Sequence, residues 1–281
     1  MEIGFLHSII RKDEKLLLKE IRKRNNLRLT RIDDRRIQFK LGENDFSFDL
    51  VLERCINHSR ALNAIRLFES HGIKCINKYD VARICGDKLL TSVALEENNV
   101  PQPEVRIAFT EESAFDAIEE MGFPVVLKPA VGSWGRLISK VNDRESAESL
   151  LEHKKILGSY HHSIYYIQDF VQKKNRRDIR SFVVGDECIA AIYRTSDHWI
   201  TNTARGGKAS RCQVTDEIAD VSLKAAEAVG GGIVAIDLFE TNEGFCVNEV
   251  NYTMEFKNSI DTTGVDIPRK IVDFVEKEAK K

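Results

Sequence analysis

The stretch GGIVAIDLFETNEGFCVNEVNYTMEF, residues 231–256, constrains this chain more than any other. It reads as two apolar runs of strand length around a turn containing Gly244. Each run carries polar oxygen, Asp237 on the first and Glu249 with Asn251 on the second. Strand residues i and i+2 share a face, about 6.7 Å apart, so Glu249 and Asn251 point the same way. A three-residue loop with glycine in the left-handed position is a favoured hairpin closure. It predicts Thr241 opposite Phe245 and, counting back, Asp237 opposite Glu249. A four-residue loop instead places Asp237 on the face away from Glu249. Carboxylates on core strands are costly unless something positive meets them. Two carboxylates and an amide form an all-oxygen set of the kind magnesium takes, leaving room for water and phosphate oxygens. Two ions about 3.5–4 Å apart would fit such a span. A pair of acids on the solvent face of an edge hairpin accounts for the same stretch without metal.

The rest of the composition is that of an ordinary water-soluble chain. Its 281 residues suffice for two or three packed units. The 42 basic and 44 acidic residues leave a net charge of −2, which gives no support to nucleic-acid or membrane-surface binding. No apolar run is long enough to span a bilayer, and the start, MEIGFLHSIIRKDEK, lacks the pattern of a signal peptide. The six cysteines form no C-x-x-C pair, so reduced thiols and a cytoplasmic location are expected.

Apolar periodicity divides the chain into three units. Over residues 1–86, EIGFLHS, FDLVLERC and IKCINK read as strands separated by the helical stretches KDEKLLLKEIRKRN and SRALNAIRLFESHG, so a small, mainly parallel α/β domain is predicted. Over 87–168, helices at KLLTSVALEENN, ESAFDAIEEMG and SAESLLEHKKIL flank strands at PVVLKPAV and SIYYIQDFV. The unit 169–281 opens with a hairpin, RDIRSFVVGDECIAAIYR, turning at Gly185-Asp186. It continues through a polar loop and the helix SLKAAEAVG into the acidic hairpin.

Two lysines bear on what that hairpin meets. Lys128 ends a buried strand just before a loop containing Gly132, Ser133, Trp134 and Gly135, and glycine lets backbone N–H groups approach phosphate oxygens closely. Lys88, in CGDK, opens a helix. Either lysine alone would read as a solvated surface charge. The spacing is neither that of a Walker loop nor of a Rossmann fingerprint. A polar loop at 194–210 holds Arg194, Asn202, Arg205, Gly206, Gly207 and Lys208, and a loop of this composition can close over a reacting phosphate and exclude water. In RDIR, Arg177, Asp178 and Arg180 suit either a structural ion pair or a phosphate contact.

A helix-opening lysine, a lysine-proline strand with a glycine loop, a strand ending in an acidic connector, then D…E-x-N: in this order the motifs resemble the ATP-grasp superfamily, over nearly the whole chain. The resemblance implies an α/β fold of α+β grasp type, an ATP-grasp core preceded by a small parallel α/β domain. It implies ATP contacts from Lys88, Lys128, Gly132, Ser133, Trp134, Gly135, Gln168, Asp169, Phe170, Val171, Arg194 and Asn202. The adenine would lie against YIQDFV. It also implies Mg2+ held by Asp237, Glu249 and Asn251, with Arg180, Arg194 and Arg205 serving the reacting phosphate. GSWGR, RDIR, TNTARGG and NEVNYTMEFKNS are similar to ligases of carrier-protein lysine and arginine biosynthesis, relatives of the ribosomal-protein glutamate ligases. Such enzymes join an acidic amino acid through its α-amino group to the C-terminal glutamate of a small acidic carrier of LysW type. After Glu255-Phe256-Lys257, Asn258-Ser259 stands where the glutamate-using branch tends to have Gly-Phe, which points to 2-aminoadipate, with Arg194, Asn258 and Ser259 as substrate contacts. The carrier implies a local basic face, for which KKNRR at 173–177, Lys208 and Arg211 are candidates. A homo-oligomer is also expected.

Overall fold

The computed structural model describes residues 1–281 except 44–45, 132–136, 158–163 and 202–205. In chain order its elements begin with β1 (Glu2–His7), α1 (Lys12–Ile21), β2 (Arg28–Asp33), β3 (Leu50–Arg54), α2 (His58–Ser70), β4 (Lys74–Ile76) and α3 (Tyr79–Cys85). Next come α4 (Lys88–Glu97), β5 (Val105–Ala108), α5 (Glu111–Met121), β6 (Val125–Lys128), β7 (Ser139–Val141), α6 (Arg144–Leu157) and β8 (Tyr165–Asp169). The last part runs β9 (Arg177–Val184), β10 (Glu187–Thr195), β11 (Lys208–Cys212), α7 (Asp216–Ala228), β12 (Ile233–Thr241), β13 (Gly244–Asn251), α8 (Ile260–Thr263) and α9 (Ile267–Ala279).

Three sheets result. The first, ordered β2-β1-β3-β4, is parallel throughout, as strands joined by helices require. The second, β5-β8-β6-β7, and the third, β11-β10-β9-β12-β13, are antiparallel. The β9–β10 turn falls on Gly185-Asp186, and Gly185 takes φ +61°, a conformation open to glycine. Periodicity had left β2, β5, β7 and β11 unread, because each is short, polar on one face or both, or at a sheet edge.

Helix starts follow capping chemistry. Asn57, Asp87, Thr110, Thr215 and Asp266 each accept a backbone N–H of the first turn they precede. The amphipathic α9 buries Ile267, Ile271, Val272 and Val275, spaced to form one stripe. That stripe returns the end of the chain to its beginning. Those residues share a core with Ile3, Phe5 and Leu17 of the first sheet unit and with Phe182 and Ala235 of the third sheet. The opposite face of the first sheet packs on α2 through Leu6, Val51, Ala61, Ile65 and Phe68. Among the described residues no helix is long and apolar enough to cross a membrane. All six cysteines are free thiols.

Candidate active site

The acidic hairpin closes differently from the three-residue loop expected. Thr241 pairs with Gly244, not Phe245, around a two-residue turn at Asn242-Glu243. Unbroken, that register would set Asp237 opposite Asn248. A β-bulge between Leu238 and Asp237 inserts Asn248 as the extra residue, and Asp237 comes opposite Glu249 after all. The pairing is as expected, and its cause is the bulge.

That bulge aims a side chain across to the second sheet. Asn248 Oδ1 accepts a hydrogen bond from Lys128 Nζ at 2.8 Å. Beside it, Glu249 Oε1 lies 3.4 Å from Lys88 Nζ. Lys88 is placed by local chemistry: Asp87 caps α4, and the Lys88 backbone N–H donates to Ala130 O at 2.8 Å. The helix start is thereby tied to the strand end that carries Lys128. Two lysines from one sheet unit thus meet two polar side chains on the edge strand of another. Burial, with like charge from Lys88 and Lys173 acting against the pull of Glu249, holds the Lys128 ammonium well below the usual lysine range, at about 7.

Between the sheets lies an open cleft. Lys88, Lys128, Gln168, Asp169, Phe170, Val171 and Glu249 line it, as do Phe239, Asn248, Lys173 and Trp199. It therefore gathers every described residue for which the sequence implied a nucleotide contact except Arg194, along with one of the three implied metal ligands. Gly132, Ser133, Trp134, Gly135, Asn202 and Arg205 lie outside the described residues.

Asp237 sits beneath this lining, 3% exposed. It answers the question of what meets a carboxylate on a core strand. Arg180, its partner on β9, grips it in bidentate fashion, Nε to Oδ1 at 2.7 Å and Nη2 to Oδ2 at 2.8 Å. Arg194 adds Nη2 to Oδ2 at 3.1 Å and gives its own Nε to Asp178 Oδ1 at 2.7 Å. Although burial opposes it, this pair of guanidinium groups holds the Asp237 carboxyl down to about 2. Arg180 and Arg194, expected at phosphate or substrate, are thus engaged by Asp237 and Asp178. Asn251 pairs with Ala235 one step along the same face, and its buried Nδ2 has no hydrogen-bond partner among the described residues. Asn258 is exposed and Ser259 buried in the turn before α8, which packs against β10 and β11, and neither lines the cleft.

The basic face expected at 173–177 is largely spent on internal contacts. Lys173 turns into the cleft, donating to Trp199 O at 2.8 Å and Thr201 Oγ1 at 2.9 Å. Lys174 and Arg177 pair with Glu240 at 3.1 and 2.9 Å. Arg176, Lys208 and Arg211 remain exposed. Sequence reasoning missed Lys173, Phe239 and Asn248 as cleft residues. Phe239 was readable as the residue two beyond Asp237 on its strand. Asn248 was not, because only the bulge turns it inward.

Among the described residues no three His, Cys, Asp or Glu side chains cluster to hold a metal. The oxygen set here is two carboxylates and an amide from two paired strands, which suits a hard divalent cation. Asn251 would enter that set through its amide oxygen, while Asp237 would have to share its oxygens between a cation and two arginines.

A cleft between two antiparallel sheets, with Lys88 and Lys128 on one wall and Glu249 on the other, defines an ATP-grasp enzyme. Residues 85–275 match the RimK-like ATP-grasp domain and residues 3–84 the LysX preATP-grasp domain, so the chain belongs to the RimK-like ATP-grasp family, an ATP-dependent ligase with a LysX-type N-terminal domain. It is 36% identical over 249 residues to the alpha-aminoadipate–LysW ligase LysX of Saccharolobus solfataricus, covering 86% of this chain and 90% of that protein. It is 31% identical to the glutamate–LysW ligase ArgX of Sulfurisphaera tokodaii over the full length of both. In fold it is similar to a RimK domain ATP-grasp protein of Sphaerobacter thermophilus, with TM-score 0.81, 24% identity, and 98% and 99% of the two chains covered.

Proposed function

We propose that this ligase joins the α-amino group of 2-aminoadipate to the side-chain carboxylate of the C-terminal glutamate of a small acidic carrier protein of LysW type. ATP's γ-phosphoryl group passes to that carboxylate oxygen, releasing ADP and leaving an acyl phosphate. The amine nitrogen then attacks the acyl carbon, phosphate departs, and the amine loses its proton. No nucleophilic side chain is needed, since phosphoryl transfer depends on positioning and charge neutralisation.

The observation that carries this reading is the convergence of Lys88, Lys128 and Glu249 on one cleft beside the Gln168–Val171 strap. In it, the units 87–168 and 169–281 close on the nucleotide. The backbone beyond β8 meets the adenine edge, and Lys88 and Lys128 neutralise phosphate oxygens. Asp237, Glu249 and Asn251 would hold magnesium, which when bound shields the charge of the triphosphate, with two ions expected. Arg180 and Arg194, poised on Asp237, would exchange part of that contact for the reacting phosphate, with Arg205 expected to join them.

The amino acid is argued from Lys257-Asn258-Ser259 and from the higher identity to a relative named for alpha-aminoadipate. Glutamate ligation is the second reading, kept open because over the full length the identity to a relative named for glutamate, 31%, is close to the 32% to one named for alpha-aminoadipate. Incubating the protein with ATP, carrier and both amino acids, then weighing the intact carrier, separates them. One aminoadipyl unit is expected. A single glutamyl unit or a glutamyl ladder would replace this reading with the second.

A further inference from the structure

The loop that carries Asn258 and Ser259 is fastened mainly from the far end of the chain. Between β13 and α8 it receives five side chains of the first 77 residues. Asn77 Nδ2 donates to Tyr252 O at 2.7 Å, and His58 Nδ1 lies 2.9 Å from the Tyr252 hydroxyl. The Thr253 hydroxyl donates to Glu53 Oε2 at 3.0 Å, and Arg11 ion-pairs with Glu255. Met254 and Phe256 are buried in the core shared with Ile3, Phe5 and α9.

The fifth contact is of another kind. Asp13, in the first turn of α1 and fully buried, accepts two backbone N–H groups on one oxygen, Phe256 at 2.7 Å and Lys257 at 2.8 Å. Its other oxygen, Oδ2, is buried with no hydrogen-bond partner among the described residues. A carboxylate is an expensive group to place there if packing were its whole purpose. The helix N-terminus offsets part of that cost. The hydrogen bonds described for Asp13 go to the two residues immediately before Asn258. In the same turn Ser259 N donates to Phe256 O at 2.8 Å. Two backbone donors of the 256–259 turn are thus held by one oxygen belonging to the N-terminal domain.

We propose that Asp13 is a positioning residue for the amino-acid substrate, acting through the Phe256 and Lys257 backbone to fix the turn that carries Asn258 and Ser259. The inference rests on the reading of those two residues as substrate contacts. It explains why the small first domain is joined to a ligase core whose nucleotide cleft it does not line.

Steady-state kinetics of the full-length enzyme with its carrier test it. Asp13→Ala removes the acceptor, and Asp13→Asn keeps an oxygen in the same place without the charge. Hydrogen bonds to a charged group being strong, Asp13→Ala is expected to raise the amino-acid KM about tenfold or more while the ATP KM stays within about twofold. Asp13→Asn should recover most of that loss. An unchanged amino-acid KM in Asp13→Ala, or a parallel rise for ATP, would overturn the proposal. Should Asp13→Ala fail to fold, the split is read from Asp13→Asn, whose neutral oxygen is a weaker acceptor. A rise of about threefold in the amino-acid KM alone then supports the proposal, and no rise defeats it. Wild-type enzyme that ligates neither amino acid would sink the functional reading and this inference together. Wild-type ligation with an indifferent Asp13→Ala would sink the inference alone.

Discussion

Lys128 offers the most quantitative handle on the cleft. It ends β6 with 7% exposure, and burial together with Lys88 and Lys173 brings its pKa from 10.5 to about 7. That drop corresponds to about 5 kcal/mol between the charged and neutral forms. In the folded protein the proton leaves near pH 7, whereas in the unfolded chain it stays until about 10.5. The cost to the free fold is therefore greatest below pH 7 and is relieved as pH rises toward 10.5. A bound triphosphate reverses the balance, since an anion beside the ammonium favours its charged form. At pH 8 the free side chain is about nine-tenths neutral, so nucleotide binding should take up close to one proton, falling to about half at pH 7. Titration calorimetry with a non-hydrolysable ATP analogue and magnesium, repeated in buffers of different ionisation enthalpy, reads the proton count as a slope. Lys128→Met should abolish the uptake, weaken nucleotide binding and make the free protein more stable at pH 7. A zero slope at pH 8 in the wild type, or the same slope in Lys128→Met, would refute the reasoning.

The two acids of the hairpin should separate under substitution. Glu249→Gln is expected to abolish turnover with the melting temperature nearly unchanged, because Glu249 is over a third exposed and its Lys88 contact is long. Full activity in that variant would remove it from the site. Asp237→Asn should cost about 3–5 kcal/mol in chemical denaturation, since it removes the buried charge that Arg180 grips and that Arg194 shares with Asp178, leaving two guanidinium groups on one carboxylate. A loss below 1 kcal/mol, about that of an exposed pair, would mean the cluster does not hold the sheet. At Gly86 a Cβ would lie 1.9 Å from His58 Cε1. Gly86→Ala should destabilise by about 1–3 kcal/mol. Adding His58→Ala should return most of that, and additive losses in the double variant would contradict the contact.

Much of this site was legible because it depends on local pattern. The strand ending at Lys128, the helix opening at Lys88 and the strap at Gln168–Val171 each follow from periodicity and punctuation within a few residues. The hairpin was half legible. Alternation showed that Glu249 and Asn251 share a face, but Asp237 was placed with them by a three-residue closure that the hairpin does not have. The bulge at Asn248 that restores the pairing, with its contact to Lys128 120 residues away, was not readable. The identity of the cations at Asp237 was out of reach for the same reason. Arg180 meets it through the β9–β12 register and Arg194 through β10, pairings that no spacing along one strand encodes. The amphipathic stripe of α9 was readable, but its burial against the first sheet is a matter of tertiary topology. The fastening of residues 252–257 by Asp13 and Glu53 is likewise a contact across most of the chain's length.

Chemistry in the cleft is tested most directly by trapping. Enzyme, ATP, magnesium and carrier are mixed with hydroxylamine in place of the amino acid, and the nucleotide product and modified carrier are identified. The account predicts ADP with a hydroxamate at the carrier's C-terminal glutamate. AMP with pyrophosphate, or a hydroxamate found only on a free amino acid supplied in its place, would contradict it.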